Sequence, residues 1–448
     1  MRSERKYLCT ALLVFIIVGA PPQTQAAKPK QVFALYEKGV RVQEIALDGV
    51  LSKVAVKPVV LGEDNILRDC DEAASAVVAI GKPALDKALE YCRTTPVVFS
   101  LVSAPRVGPY KQNENVTGVS FDLSFRLFLS ELQKVLKSGA RIGFIYSSEV
   151  NEYLAGEMDY LEGEFNLISL RQRIDRREQI GATIKDLIEN KKVAAIWVLP
   201  DPLYNQAIFK KLATVCEEKR VVLVTNFEAL VKSAGAALAL APSYFDTGVQ
   251  TAEIVQQILA GTRPAEIAYQ RPRQSGVYLN LALFDKFGIE LPNDLRYKEK
   301  VTTLINDGQD LLKEGKSSAA LAKFREALRY DKKNTTAGYF ASLIEARDNY
   351  AAATARLQQG NRRGALPLLL SAARVLPEAR SRLAALRAEM RTDFGVVFQQ
   401  GVQQFKARRY RECIQSMNLA LMIEPGHQEA TLYKEKAEKR AKAVTAIR

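Results

Sequence analysis

The sequence predicts two joined architectures: an α/β half of two parallel-sheet lobes over about residues 27–300, and an all-α helical-repeat half over 301–448. Three observations carry this. Between Lys30 and Lys300, short β-branched runs alternate with amphipathic stretches of 10–17 residues, the pattern of parallel strands covered by helices on both faces. After Pro292 the strand signals stop and Ala- and Leu-rich helical patterns take over. Those patterns recur with a 34-residue unit. With 448 residues the chain is too long for one compact domain, and 48% hydrophobic with 25% charged residues is ordinary globular composition. Disorder, collagen and coiled coil are thereby excluded as its dominant state.

Residues 1–26 read as a secretory signal peptide. Arg2, Arg5 and Lys6 precede a 13-residue apolar run, Leu8–Ala20, and PPQTQA then ends in small residues suited to cleavage after Ala26. Thirteen helical residues rise only about 20 Å, short of a ~30 Å hydrocarbon core. A retained inner-membrane anchor is therefore the weaker alternative, and the expected location is the periplasm. In an oxidising compartment Cys70 and Cys92, 22 residues apart, are a candidate disulfide, with two buried thiols as the alternative.

Strands are predicted at Val77–Ile80, Val97–Val102, Arg141–Tyr146, Val193–Leu199, Val221–Asn226 and Ala236–Ala241. Helices are predicted between them, at Lys82–Cys92, Phe125–Ser138, Asn151–Glu164, Arg176–Asn190, Tyr204–Lys219 and Thr247–Ala260. Roughly 270 residues is too much for one such sheet, so lobe 1 is placed at about 30–122 with segments returning after about 240, and lobe 2 at about 123–240. Ligands of open α/β sheets bind against loops at the carboxyl ends of the strands. Those loops offer Gly81, Ser103, Thr117, Tyr146, Ser147, Ser148, Asp201 and Asn226 as candidate cleft residues. Asp201 equally suits a helix N-cap, Asn115 and Thr117 suit a turn, and Trp197 within its strand suits core.

The order AIGKPALDKAL, TPVVFSLVSAP, ENVTGVSFD, GARIGFIYSS, AAIWVLPDP, then DTGVQTAEIVQQILAGTRPAEI and LNLALFDKFGIELP, resembles the ABC-transporter solute-binding family with the type I periplasmic-binding-protein fold, the group that includes aromatic amino-acid binders. The likeness covers about 76–296. It implies a clamshell with a small molecule, amino-acid-like in the family, between the lobes, and an ABC permease as partner. Two departures stand out. Residues 30–75 are short for the family's first units, which implies a trimmed first lobe. The turn after the Val97–Val102 strand reads Val102-Ser103-Ala104-Pro105 where the family carries an Asp, which removes the salt bridge expected for an amino group.

In the helical half the repeated small and apolar positions are Leu304, Gly308, Ala320 and Ala327; Ala353, Gly360, Ala365 and Ala372; and Gly401, Cys413 and Ala420. They resemble tetratricopeptide repeats, in which small residues let paired helices approach closely. Residues 335–345 and 380–393 separate the units, implying extended first helices or an extra turn, and Glu429–Val444 reads as a polar capping helix. Cys413 is a packing residue on this reading, and His427 an exposed turn residue.

The whole chain carries 64 Lys+Arg against 50 Asp+Glu, +14. Residues 301–448 hold 26 Lys+Arg and 15 Asp+Glu, +11, and the leader contributes +2, which leaves the α/β half near neutral. The basic surface is either a solvated helix face or a contact for an acidic protein or an anionic envelope surface. No nucleic-acid motif accompanies it. A single histidine and cysteines without CxxC spacing provide no nucleophile–base pair or zinc motif. The expected function is thus capture of a small molecule without catalysis, cofactor or metal, the alternative being an envelope adaptor or ligand sensor.

Overall fold

The computed structural model describes residues 30–103, 108–110, 112–147, 151–199 and 201–446. The expected leader at 1–26, together with Ala104, Pro105 and Ser148, lies outside the described residues.

Lobe 1 is a parallel sheet of order β2-β1-β3-β4-β5, formed by Gln31–Tyr36, Lys57–Val60, Ala74–Ile80, Val97–Val102 and Val116–Ser120 as β1 to β5. Side chains alternate between faces, and both faces are covered, so β4 is buried at all six positions. Phe33, Val77 and Phe99 pack on one face with Leu85 and Ala88 of α3 (Lys82–Tyr91). Ala34, Val78 and Val98 pack on the other with Ala46, Val50, Ala252 and Val255, which belong to α1 (Arg41–Leu51) and α9 (Tyr244–Leu259). Helices α1 and α9 cross closely. A Cβ on Gly248 would stand 1.9 Å from the Ala46 carbonyl oxygen, so only glycine fits there. Between β2 and β3 a 3-10 turn (Asp64–Leu67) and one helical turn (Cys70–Ala73, α2) make the connection. Cys70 and Cys92 are joined in a disulfide. The neighbouring Asp71 accepts the backbone N–H groups of Thr94 and Thr95 at 3.0 and 2.8 Å.

Lobe 2 has order β11-β10-β9-β8-β6-β7, parallel except where β11 (Ser275–Leu279) runs against β10 (Leu238–Pro242). Its other strands are Arg141–Tyr146, Ile168–Arg173, Ala195–Val198 and Val222–Thr225, β6 to β9. One face is packed with aromatic side chains: Phe128 stacks on Trp197 at 3.8 Å between ring centroids, and Phe125 and Phe144 meet the indole edge-on. Phe125 and Phe128 lie on α4 (Phe125–Leu132). Helices α5 (Glu152–Phe165), α6 (Gln179–Lys185, continued by a π-helical turn to Asn190), α7 (Gln206–Glu218), α8 (Glu228–Ser233) and α10 (Leu281–Phe287) complete the lobe. The chain passes between lobes near 121–124, 242–244 and 271–274.

The helical half starts earlier than expected. Leu295–Lys300 already lies in the first turns of α11 (Asn293–Lys313), because Leu295 is buried in the lobe 2 core. Helix α11 pairs with α12 (Ser317–Tyr330), α13 (Thr335–Gln358) with α14 (Arg362–Ala372), and α16 (Arg391–Lys406) with α17 (Tyr410–Ile423). Residues 335–345 lengthen α13, whereas Pro377–Glu389 forms a separate helix, α15. Helix α18 (Gln428–Ala446) closes the stack on α17. His427 differs from its expected exposed turn: it is half-buried against Phe394 and Phe398, and its Nδ1 accepts the Ala430 N–H at 3.2 Å, capping α18. No helix among the described residues is long and apolar enough to cross a membrane.

Candidate functional site

A cleft of about 760 Å³ opens between the lobes at the carboxyl ends of their strands, within the range of small-molecule sites. Lobe 1 and its first crossover contribute Leu101, Ser103 and Phe121; lobe 2 contributes Asp201, Tyr204 and Phe227. The rings of Phe121 and Phe227 face each other at 6.2 Å and 32°. Val198, Leu199 and Leu230 extend the apolar wall.

Most polar groups near the cleft are already committed. The Asp201 carboxylate accepts the Ser147 N–H at 2.8 Å, the Asn151 side-chain amide at 2.9 Å and the Leu203 N–H at 3.0 Å. It therefore pins the loops after β6 and β8 together. The cap of α7 is Asn205 instead, whose side chain accepts the Ile208 N–H at 2.9 Å. Ser103 donates to the Asp122 carboxylate at 2.9 Å. The Tyr204 hydroxyl is an exception: it lines the cleft, is buried, and has no hydrogen-bond partner among the described residues. Burial, reinforced by the Asp201 charge, raises its pKa well above the usual phenol range, so it stays a neutral O–H able to donate.

Of the expected site residues, Ser103 and Asp201 line this cleft. The other described ones lie elsewhere. Thr117 is fully buried within β5 and donates to the Ile267 carbonyl at 2.8 Å. Asn226 accepts the Trp197 indole N–H at 3.0 Å. Tyr146 packs in the aromatic core beside Phe144. Ser147 presents its backbone N–H to Asp201. Gly81 sits before α3, where its φ of +87° calls for glycine. Sequence reasoning missed Leu101, Phe121, Tyr204 and Phe227. The available signal was an apolar or aromatic residue directly after a buried strand, at Phe121 after VTGVS and Phe227 after VVLVTN. Among the described residues, no group of three or more His, Cys, Asp or Glu is placed to hold a metal ion.

Two α/β lobes joined by three crossings, with an apolar cleft between them, define a two-lobed α/β binding-protein fold. Residues 38–302, more than half of the chain, match the model of the ABC transporter substrate binding protein family, and the chain belongs to that family. A search of curated proteins finds no match. Similar solved structures include a ligand-free, open substrate-binding protein with adhesive properties from Clostridium difficile, 16% identical, covering 59% of this chain and 96% of its own with a TM-score of 0.49. Another is an ABC domain from Streptococcus pneumonia in complex with L-Trp, 18% identical, covering 60% and 98% with a TM-score of 0.44.

Proposed function

We propose that the protein captures a small molecule with a largely apolar body in the interlobe cleft, held by one hydrogen bond from Tyr204. The observation that carries this reading is the buried, unpartnered Tyr204 hydroxyl in a wall formed by Leu101, Phe121 and Phe227. An apolar ligand gains from burial there, and the hydroxyl gains the partner it lacks. Family membership supports delivery of that molecule to an ABC importer. The apolar run in the leader supports export to the periplasm.

The helical half acts, on this reading, as tetratricopeptide repeats for protein contact. Ala320, Ala327, Ala365, Ala372, Cys413 and Ala420 are fully buried where helices meet, and a Cβ on Gly308 would stand 2.7 Å from the Phe324 ring. Its +11 charge supports an acidic partner. A second reading, an envelope adaptor or ligand sensor, is favoured by the attachment of these helices to both lobes.

The test is a thermal-shift screen of the whole protein against amino acids, purines and apolar metabolites, since a ligand of the folded state raises its melting temperature. A ligand found this way should bind Tyr204→Phe about tenfold more weakly, the size of one hydrogen bond. Phe227→Ala should weaken it further. Binding undiminished in both variants would overturn the cleft assignment.

A further inference from the structure

Helix α11 lies across the seam between the lobes and is bonded to both. On lobe 2, Leu295 enters the core, and Lys298 pairs with the Glu131 carboxylate, whose side chain is only 4% exposed. Further along, the Thr302 hydroxyl accepts the Val277 N–H at 3.2 Å, and the Asn306 amide donates to the Tyr278 hydroxyl at 3.3 Å. On lobe 1, Val301 and Leu304 are buried with Phe245 and Val249 of α9. Asp310 then meets Arg41 at 2.9 Å, and Lys313 meets Glu44 at 3.0 Å, both partners on α1.

The two sets of attachments interleave along one continuous helix, which contains no proline at which it could bend. Between α11 and the crossovers at 242–244 and 271–274 is a cavity of about 460 Å³, lined by Ser243, Gln274, Asn306 and Gln309. The crossover segments thus border open space on the side that α11 spans. The family match ends at residue 302, so Leu304, Asp310 and Lys313 reach lobe 1 from beyond the part of the chain that defines the family.

We propose that α11 is a clasp that holds the two lobes at one angle, so that opening of the cleft and release of the helical repeats from lobe 1 are one coupled event. A rotation about the crossovers must break the α11 contacts to one lobe, because a straight packed helix cannot follow both. Coupling of this kind is reciprocal: whatever binds the repeats and lifts them from α1 also frees the cleft, and whatever favours a different cleft width loosens the repeats. The inference does not depend on which molecule the cleft takes.

The test measures the interlobe distance in the whole protein without ligand. Spin labels are placed on the exposed α3 and α7 positions Glu90→Cys and Lys211→Cys, where Cys216 and Cys413 are buried and stay unlabelled. The parent protein should show one narrow distance distribution. The double reversal Arg41→Glu with Lys313→Glu sets like charges against Asp310 and Glu44, and should raise a second distance population about tenfold. Adding Asp310→Arg and Glu44→Lys restores opposite pairs and should return the single distribution, which separates loss of the clasp from loss of folding. An already broad parent distribution, an unchanged distribution on reversal, or failure of the reciprocal swap to restore it would each overturn the proposal.

Discussion

The Trp197 indole N–H donates to the Asn226 side-chain oxygen at 3.0 Å, with both side chains buried at the ends of adjacent strands of lobe 2. Asn226 is thereby occupied in satisfying an indole that is stacked on Phe128. Replacing Asn226 by Leu leaves that N–H buried and unpaired, at a cost of about 1–3 kcal/mol. The chain has one tryptophan, so its fluorescence reports on this site directly. Urea unfolding followed at that emission should show a lower midpoint for Asn226→Leu, together with shifted emission of the folded state. Unchanged stability would mean that the asparagine serves a ligand and not the indole.

Leu101 carries a second consequence. It lies at the end of β4 with φ of +58°, beside an irregularity in the β4–β5 register, and is 9% exposed at the cleft wall. A left-handed conformation costs a residue with a Cβ roughly 1–2 kcal/mol, whereas glycine adopts it freely. In an ordinary strand glycine is less stable than alanine. Here the order should reverse, with Leu101→Gly more stable than Leu101→Ala by about 1 kcal/mol, although both lose the leucine packing. Paired urea midpoints decide it, and alanine above glycine would show that the backbone there is unstrained.

The contrast between these residues and their surroundings shows what could be read beforehand. Central strands such as β4 and β6 are buried on both faces, and their continuous apolar runs announce them. Edge strands β2 (KPVV) and β7 (ISLRQR) carry charge and partial exposure, so no apolar run marks them. Small residues at fixed spacing made the helical hairpins legible, because close helix approach demands them. The candidate site was legible only as a set of loops. Which side chain faces a cleft depends on hydrogen bonds made across the fold: Asp201 reads in sequence as either a ligand group or a helix cap, but it is consumed by Ser147, Asn151 and Leu203. Tyr204 looks like a helix-start residue, yet its buried hydroxyl has no partner among the described residues.

The disulfide predicts a measurable loss on reduction. Cys70 and Cys92 close a segment with a sequence separation of 22 that contains β3 and α3. Constraining a loop of this length in the unfolded chain contributes about 3 kcal/mol. Reduction, or the Cys70→Ala/Cys92→Ala variant, should lower the melting temperature and expose lobe 1 to proteolysis first. Asp71 still holds the 94–95 backbone, so the native fold should persist at low temperature. Melting curves with and without reductant test this, and coincident curves would show that the closed loop adds no stability.

The junction of lobe 1 with the helical half predicts a pH dependence of the less familiar sign. Asp48 of α1 is half-buried, and burial pushes its carboxyl up to about 6, opposed by Arg347 of α13 and reinforced by Glu44. Its ordinary value is 3.8, so between those two values the folded protein holds a proton that the unfolded chain gives up. The unfolded state then binds fewer protons, and stability falls as pH rises. The contribution is fully present below about 3.8 and lost once the pH passes about 6. A shift of this size, discounted for the exposed part of the group, corresponds to about 2 kcal/mol. Asp48→Asn cannot ionise and should match the parent at pH 4 but exceed its melting temperature at pH 7.5. A gap that is constant across that range, or that widens toward acid, would show that Asp48 stays ionised in the folded junction down to its ordinary value.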